Sequence, residues 1–262
     1  MKKNIIITSG PTNERIDSVM KITNMSTGAL GSIIADNILN EKNEEIENLF
    51  YISPKLAYKP KINSDKLKLI TIDSTEELLK ELKNLLTSSK IDGVIHSAAV
   101  GDYTGEYTIT GEMLANDISL SVLRQMNSHW HRLSIEQIKE AVVAAIKNPK
   151  SLTDNSGKIS SYEENLMVKL KLTPKVISHI KNLSPTTKLI GFKLLDGVSK
   201  EELQKVGLAL LNKNKADYIV ANDLSKIGNG LHPAMILDKD GIFEECETKQ
   251  EIAKSLTKVL FK

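Results

Sequence analysis

The chain has 262 residues, 40% hydrophobic and 26% charged, with a formal net charge of +2. That length and composition allow one large α/β domain or two small ones, and the small, evenly spread charge argues against a nucleic-acid partner. No run approaches the roughly 18 consecutive apolar residues of a membrane span, and the single Cys246 excludes a disulfide framework and fits a reducing cytosol, so a cytoplasmic protein is expected.

The N-terminus superficially resembles a secretory signal, but its apolar part is only Ile5-Ile6-Ile7, cut short by Ser9-Gly10-Pro11. Asn4 to Ile7 therefore reads as a first buried strand. It leads into Thr8-Ser9-Gly10-Pro11-Thr12, a long polar stretch with Glu14, Arg15, Asp17 and Asn24, and then Ser26-Thr27-Gly28-Ala29-Leu30-Gly31, where Leu30, Ile33, Ile34, Ile38 and Leu39 begin a helical pattern. Strand, small-residue loop and helix start make an anion site, because free N–H groups and the helix dipole favour phosphate or carboxylate there.

Ile46 to Ile52 and Lys66 to Ile72 read as further strands, with a loop from Ser53 to Asp65 between them. Asp73-Ser74-Thr75-Glu76-Glu77 is a helix-start signature followed by apolar Leu78, Leu79, Leu82, Leu85 and Leu86. Asp92 to Ala99 is a strand ending in Ser97-Ala98-Ala99. The alternation predicts an α/β, Rossmann-like, doubly wound and mostly parallel sheet, with Gly10 and Ser97 on one edge.

Thr104 to Ser156 reads as an insertion or lid on a single domain spanning 1–262, with Thr110, Gly111 and Asn116-Asp117 suggesting loop and Ser134 to Lys147 a helix. His129-Trp130-His131 lacks the spacing and the supporting ligands of a metal site and reads as local packing, so no metal ligand is assigned. Lys158 to Ser161 and Leu166 to Leu170 read as a hairpin. Thr173-Pro174 reads as a cap and first helical residue. Lys188 to Phe192 and Asp217 to Asp223 are strands around a helix from Ser199 to Lys213; a hairpin turns at Asp238 to Gly241, and a last helix starts near Thr248.

No G-x-x-x-x-G-K-[ST] or G-x-G-x-x-G turn is present. Three features stand out beside Gly28 and Gly31: Ser97-Ala98-Ala99 followed by Asp102, Lys158 after a glycine, and Ala221-Asn222-Asp223 at a strand end. Small residues let a ligand reach the backbone, a carboxylate accepts from sugar or base, and lysine offers a compact charge to a phosphoryl group.

The ordered set Thr8 to Thr12, Ile16-Asp17, Ile22 to Gly31, Ala98 to Tyr103, Gly157-Lys158-Ile159, Thr173 to Ile177, Gly191-Phe192 and Ala216 to Asp223 resembles phosphopantothenate–cysteine ligases, and among them the stand-alone bacterial form. The resemblance implies that the carboxylate of 4′-phosphopantothenate attacks the α-phosphate of CTP (or ATP), pyrophosphate leaves, and the amine of L-cysteine then displaces the nucleoside monophosphate. It further implies magnesium, a homodimer, and a separate decarboxylase for the next step. By the same resemblance Asn24 and Lys158 are catalytic. Gly10, Ser97, Ala98, Asp102, Lys158, Pro174, Lys175, Val176, Ile177, Phe192 and Lys213 meet the nucleotide, and Asn24, Gly28 and Ala99 the substrate. The chain departs from the family pattern at Met20-Lys21, where an arginine is usual, and at Ala29, where a lysine is.

Two other readings stand beside it. One is a short-chain-type NAD(P)-dependent oxidoreductase, which expects a tyrosine and a lysine four residues apart, whereas Tyr103 precedes Tyr107 and Tyr162 precedes Leu166 at that spacing. The other is a non-catalytic nucleotide-binding regulator.

Overall fold

The computed structural model describes residues 2–129 and 132–262. The chain forms two compact units: one built from the chain up to Asn13, Thr23–Asp102 and Thr173–Lys262, the other from Glu14–Ile22 and Tyr103–Leu172. In chain order the elements are β1 (Lys3–Thr8), β2 (Asn13–Arg15), β3 (Lys21–Thr23), α1 (Ala29–Lys42), β4 (Ile46–Ser53), β5 (Leu67–Thr71), α2 (Thr75–Ser88) and β6 (Gly93–His96). There follow β7 (Tyr103–Thr110), α3 (Gly111–His129), α4 (Ile135–Lys147), β8 (Leu166–Leu172), α5 (Ile177–Leu183), β9 (Lys188–Leu195), α6 (Lys200–Asn214), β10 (Tyr218–Asp223), β11 (Ala234–Asp238), β12 (Gly241–Cys246) and α7 (Lys249–Phe261).

The first unit carries an eight-stranded sheet in the order β12-β11-β10-β9-β6-β1-β4-β5. From β5 to β10 every neighbouring pair is parallel, while β11 and β12 are antiparallel. The parallel part has the Rossmann order, with β1 and β6 flanking the point where the direction of winding reverses. Both faces of such a sheet are covered, so its strands read as continuous apolar runs. Ile5 and Ile7 point into a layer with Ile34 and Ile38 of α1 and Leu256 and Val259 of α7. Ile6 points the other way, to Leu78 and Leu82 of α2, Ile180 of α5 and Leu211 of α6. All three isoleucines are fully buried, each contributing roughly 1.5–3 kcal/mol relative to exposure.

Helix starts follow local chemistry. The Ser74 hydroxyl accepts from Glu77 N while the Glu77 carboxylate takes Asp73 N. Ser134 with Gln137, and Thr248 with Glu251, form complete capping boxes, and Ser199 caps α6. Among the described residues no helix is long and apolar enough to cross a membrane.

The second unit is built on a ribbon in which β7 and β8 pair antiparallel from Tyr103–Leu172 to Thr110–Leu166. Helices α3 and α4 pack together, with the Ser121 hydroxyl donating to Ala141 O. Residues 104–156 lie within this unit, together with the chain on to Leu172 and the separate stretch Glu14–Ile22.

Three local expectations are corrected. Thr110 to Asp117 is the entry to α3 rather than loop: Thr110 Oγ1 accepts from Met113 N, and the carboxylate of the buried Asp117 accepts from the backbone N–H groups of Lys150 and Ser151. Lys158 to Ser161 is not a strand, and β8 pairs with β7 instead. Thr173 does not cap a helix; α5 begins at Ile177 with Val176 as its N-cap. The side chains of His129-Trp130-His131 lie outside the described residues.

Candidate active site

The winding reverses between β1 and β6, and sheets of this order bind ligands outside the carboxyl ends of their strands at that point. The two strand ends are stitched together by the backbone. Ser97 N donates to Thr8 O, Ala99 N to Gly10 O at 2.9 Å, and Thr12 N to Ala99 O. The Ser97 hydroxyl adds a bond to Thr8 O at 2.7 Å. Gly10, Ser97, Ala98 and Ala99 are therefore brought to one rim.

Gly28 joins them. It sits at the N-cap of α1 with φ 78, a left-handed conformation suited to glycine, and its carbonyl accepts from the Ser9 hydroxyl at 3.0 Å. A Cβ on Gly31 would meet Ser9 Oγ at 2.3 Å, so the helix can lie this close only because position 31 has no side chain. Gly28 has no side chain to cap α1, and the first turn holds no acid. The Thr27 hydroxyl accepts from Ala29 N at 3.4 Å, and the dipole keeps this end of the helix positive, as an anion site requires.

Asn24 reaches the same rim. Its Nδ2 donates to Ala99 O at 3.0 Å, leaving the second amide hydrogen without a partner among the described residues. The exposed Asp102 pairs with Lys175, while Thr173 N donates to Asp102 O and the Thr173 hydroxyl to Gly101 O. This clip holds the turn after β6 against the segment that carries Pro174 to Ile177. Val176 is buried beside Ala98 and Ile177, so it shapes the wall from behind. Phe192, half-buried toward the end of β9, packs on the other face of the sheet.

Sequence reasoning assigned no role to the residues that bind these loops to one another. Thr12, fully buried, accepts from Gly101 N at 2.8 Å and from the Thr75 hydroxyl, and its carbonyl takes the Thr23 hydroxyl. His96, whose Nδ1 lies 2.8 Å from the Thr8 hydroxyl, is buried, and desolvation pushes its pKa down to about 4. Lys59 is held by Ser53 Oγ and Pro54 O in the loop that packs on Gly10, and burial lowers its pKa. Buried polar residues at a strand end were the available signal for His96; for Thr12 it was only its place in the loop.

The family model described as DNA/pantothenate metabolism flavoprotein C-terminal domain matches residues 1–127 and 112–262. The chain belongs to this family. The coenzyme A biosynthesis bifunctional protein CoaBC of Thermococcus kodakarensis is 26% identical over 255 residues, covering 97% of this chain and 50% of the relative. The protein of the same name from Borreliella burgdorferi is 24% identical, covering 99% and 52%. The chain thus spans about half the length of the curated relatives it matches. The crystal structure of the DNA/pantothenate metabolism flavoprotein from Streptococcus pneumoniae is 34% identical, covers 99% of this chain and 98% of that one, and superposes with a TM-score of 0.75. A Cab2 mutant in complex with phosphopantothenate-cysteine shares the fold, with a TM-score of 0.62 at 14% identity, covering 99% of this chain and 87% of that one.

One of the expected residues, Lys213, stands apart from the rim, and another, Lys158, lies in the second unit. Lys213 lies in the last turn of α6, which runs back to where β10 begins. The neighbouring Asp217 accepts from Leu189 N near the start of β9, so Lys213 is at the opposite edge of the sheet from Gly10. Lys158 belongs to the second unit, where it is exposed in an irregular segment. Among the described residues no group of three or more His, Cys, Asp or Glu could hold a metal ion.

Proposed function

We propose that the chain is a phosphopantothenate–cysteine ligase that uses CTP in preference to ATP. The observation that carries this reading is the Asn24 amide bonded to Ala99 O beside the start of α1, at the switch point of a Rossmann-ordered sheet. Support comes from membership of a pantothenate-metabolism family, from relatives whose names state coenzyme A biosynthesis, and from a fold neighbour whose structure contains phosphopantothenate-cysteine.

In the first step a carboxylate oxygen of 4′-phosphopantothenate forms a bond to the α-phosphorus, and the bond to the pyrophosphate oxygen breaks. Negative charge gathers on the phosphoryl oxygens and the leaving group, where a lysine ammonium, the role assigned to Lys158, would stabilise it. In the second step the amine of L-cysteine attacks the acyl carbon, loses a proton, and the nucleoside monophosphate leaves with its oxygen. The free hydrogen of the Asn24 amide would donate to the acyl oxygen as charge develops there. Asp102 would accept from the ribose or the cytosine amine with one carboxylate oxygen while the other holds Lys175 toward the phosphates. Magnesium is expected to arrive on the triphosphate, where it would neutralise phosphate charge. Two copies of the chain would form the working homodimer, and a decarboxylase would consume the product.

Pyrophosphate release tests the reading. Purified protein with magnesium and CTP is expected to release pyrophosphate only when 4′-phosphopantothenate is present, and to form the amide only when cysteine is added. Faster turnover with ATP would reverse the nucleotide preference. No release with either nucleotide from folded protein would favour the non-catalytic regulator.

A further inference from the structure

Residues 148–165 connect α4 to β8 without helix or strand. An irregular segment of that length inside a compact unit calls for a function and for something to hold it. Lys158 sits in its middle, exposed, its charge interacting with the Asp17 carboxylate. What fixes the lysine is its backbone. On one side, Ser18 N donates to Gly157 O at 3.3 Å, holding the peptide plane that leads into Lys158. On the other, Ile159 N donates to Asp17 Oδ2 at 3.0 Å, holding the plane that leads out. Two consecutive residues thus grip both peptide planes around one Cα, which sets φ and ψ of Lys158 and the direction in which its side chain leaves.

The grip is itself rigid. Asp17 is buried, and its Oδ1 accepts from Val19 N at 2.7 Å and Met20 N at 2.6 Å. Ile16 N closes the same turn on Met20 O at 2.9 Å. Asn155 Nδ2 donates to Ile16 O, and the Ile159 side chain is buried, so the irregular segment is anchored on both sides of the lysine. A carboxylate that receives three backbone N–H bonds stays charged: bonds from Met20, Ile159 and Val19 hold the Asp17 pKa below its ordinary value.

We propose that Asp17 is the positioning residue for Lys158, holding the main chain so that the ammonium meets the phosphoryl charge of the first step. The proposal rests on the reading of Lys158 given above. Asp17 touches no reacting atom; it acts through the lysine. Neutralising it to asparagine keeps the shape but puts either a donor against Ile159 N or a donor against the Val19 and Met20 amides.

The test is pyrophosphate release with CTP and 4′-phosphopantothenate in a four-member set: the unmodified protein, Asp17→Asn, Lys158→Gln and the double variant. Asp17→Asn is expected to lower kcat at least tenfold, with KM for both substrates within threefold, and to cost less than threefold more when Lys158 is already glutamine. Amide hydrogen exchange at Ile159 is expected to be slowed at least tenfold in the unmodified protein and to quicken in Asp17→Asn. Normal release by Lys158→Gln overturns both the role of the lysine and this proposal. An impaired Lys158→Gln beside a normal Asp17→Asn overturns the positioning role alone, as does an Asp17→Asn loss that is equally large in both backgrounds. Should Asp17→Asn not fold, an unprotected Ile159 amide in the unmodified protein overturns the proposal and a protected one supports it.

Discussion

The Thr8 hydroxyl and Nδ1 of His96 lie 2.8 Å apart and join the carboxyl ends of β1 and β6 directly beneath the candidate site. Thr8 Oγ1 also accepts from Ala98 N at 3.3 Å. The simplest pattern sends the hydroxyl hydrogen to Nδ1 and leaves the ring hydrogen on Nε2. Burial with no carboxylate partner among the described residues keeps the imidazole neutral: a protonated ring could still donate Nδ1–H to Thr8 Oγ1, but its charge would have no water and no counter-charge to meet.

A pH dependence of stability follows. The His96 pKa falls from an ordinary 6.5 to about 4 in the fold. Above pH 6.5 neither state holds the proton, so His96 adds no pH dependence. Between 6.5 and 4 the unfolded chain takes up a proton that the folded chain refuses, and stability declines by roughly 1.4 kcal/mol per pH unit, about 3 kcal/mol in all. Below 4 the decline from this group stops. Urea unfolding between pH 7.5 and 4.5 checks it, with His96→Asn as the comparison because its Oδ1 can replace Nδ1 as acceptor. The pKa of His232 is also lowered by burial and adds its own slope to both proteins, so the difference between them isolates His96. Equal slopes would show that His96 titrates normally.

Gly31 gives a packing test. A Cβ there would meet Ser9 Oγ at 2.3 Å, Ser9 Cβ at 2.6 Å and Ser97 Oγ at 2.9 Å, so α1 or both strand ends must shift. Gly31→Ala is expected to destabilise by about 1–3 kcal/mol, the usual range for overpacking, and to weaken nucleotide binding. Gly157→Ala, where a Cβ meets nothing within 4 Å, is the control for stability. Thermal unfolding of the two variants decides; a Gly31→Ala protein as stable as the control would mean that the helix start is not packed against the loop.

Asn24 separates the two chemical steps. Its amide donates to Ala99 O, and a carboxylate in its place would set acceptor against acceptor while offering no hydrogen to the acyl oxygen. Asn24→Asp is expected to keep pyrophosphate release within about tenfold of normal and to lose at least a hundredfold in amide formation, as expected for removal of an oxyanion donor. Acyl-nucleotide should accumulate and be visible after acid quench. Amide formation at the normal rate would remove Asn24 from the second step.

Much of the fold was written in short stretches of sequence. Ile5-Ile6-Ile7 had to be buried on both faces, and Ser74 with Glu77, or Thr248 with Glu251, marks a helix start within four residues. Strand ends gave Gly10, Ser97, Ala98 and Ala99 as neighbours because parallel sheets gather such ends. What escaped depends on partners far away in the chain. β7 reads as Tyr-Thr-Gly-Glu-Tyr-Thr-Ile-Thr, with Tyr103, Tyr107 and Ile109 alternating with polar residues, a strand signal that went unread because its partner β8 lies far along the chain, beyond α3 and α4. Thr173 has the look of a cap, yet its hydroxyl goes to Gly101 O across 72 positions. Asp17 was visible as one polar residue among several; its grip on Ile159 spans 142 positions and leaves no local pattern.

The ion pair between Asp102 and Lys175 is expected to matter for the nucleotide and hardly at all for the fold. Both side chains are largely exposed, at 69% and 59%, and exposed pairs contribute little because water and salt screen them. The turn they occupy is fixed independently by Thr173, through its N–H to Asp102 O and its hydroxyl to Gly101 O. Asp102→Asn should therefore unfold at nearly the normal temperature. Its amide can still accept one bond from ribose or base but carries no charge to hold Lys175 in place, so KM for CTP should rise roughly tenfold while kcat changes less than threefold. Lys175→Met should raise the same KM by removing the cation from the phosphates. A double variant no worse than either single one would show that the two residues act on the nucleotide as a unit. Unchanged KM in both single variants would remove the pair from the nucleotide site and leave the start of α1 as the principal anion contact on this rim.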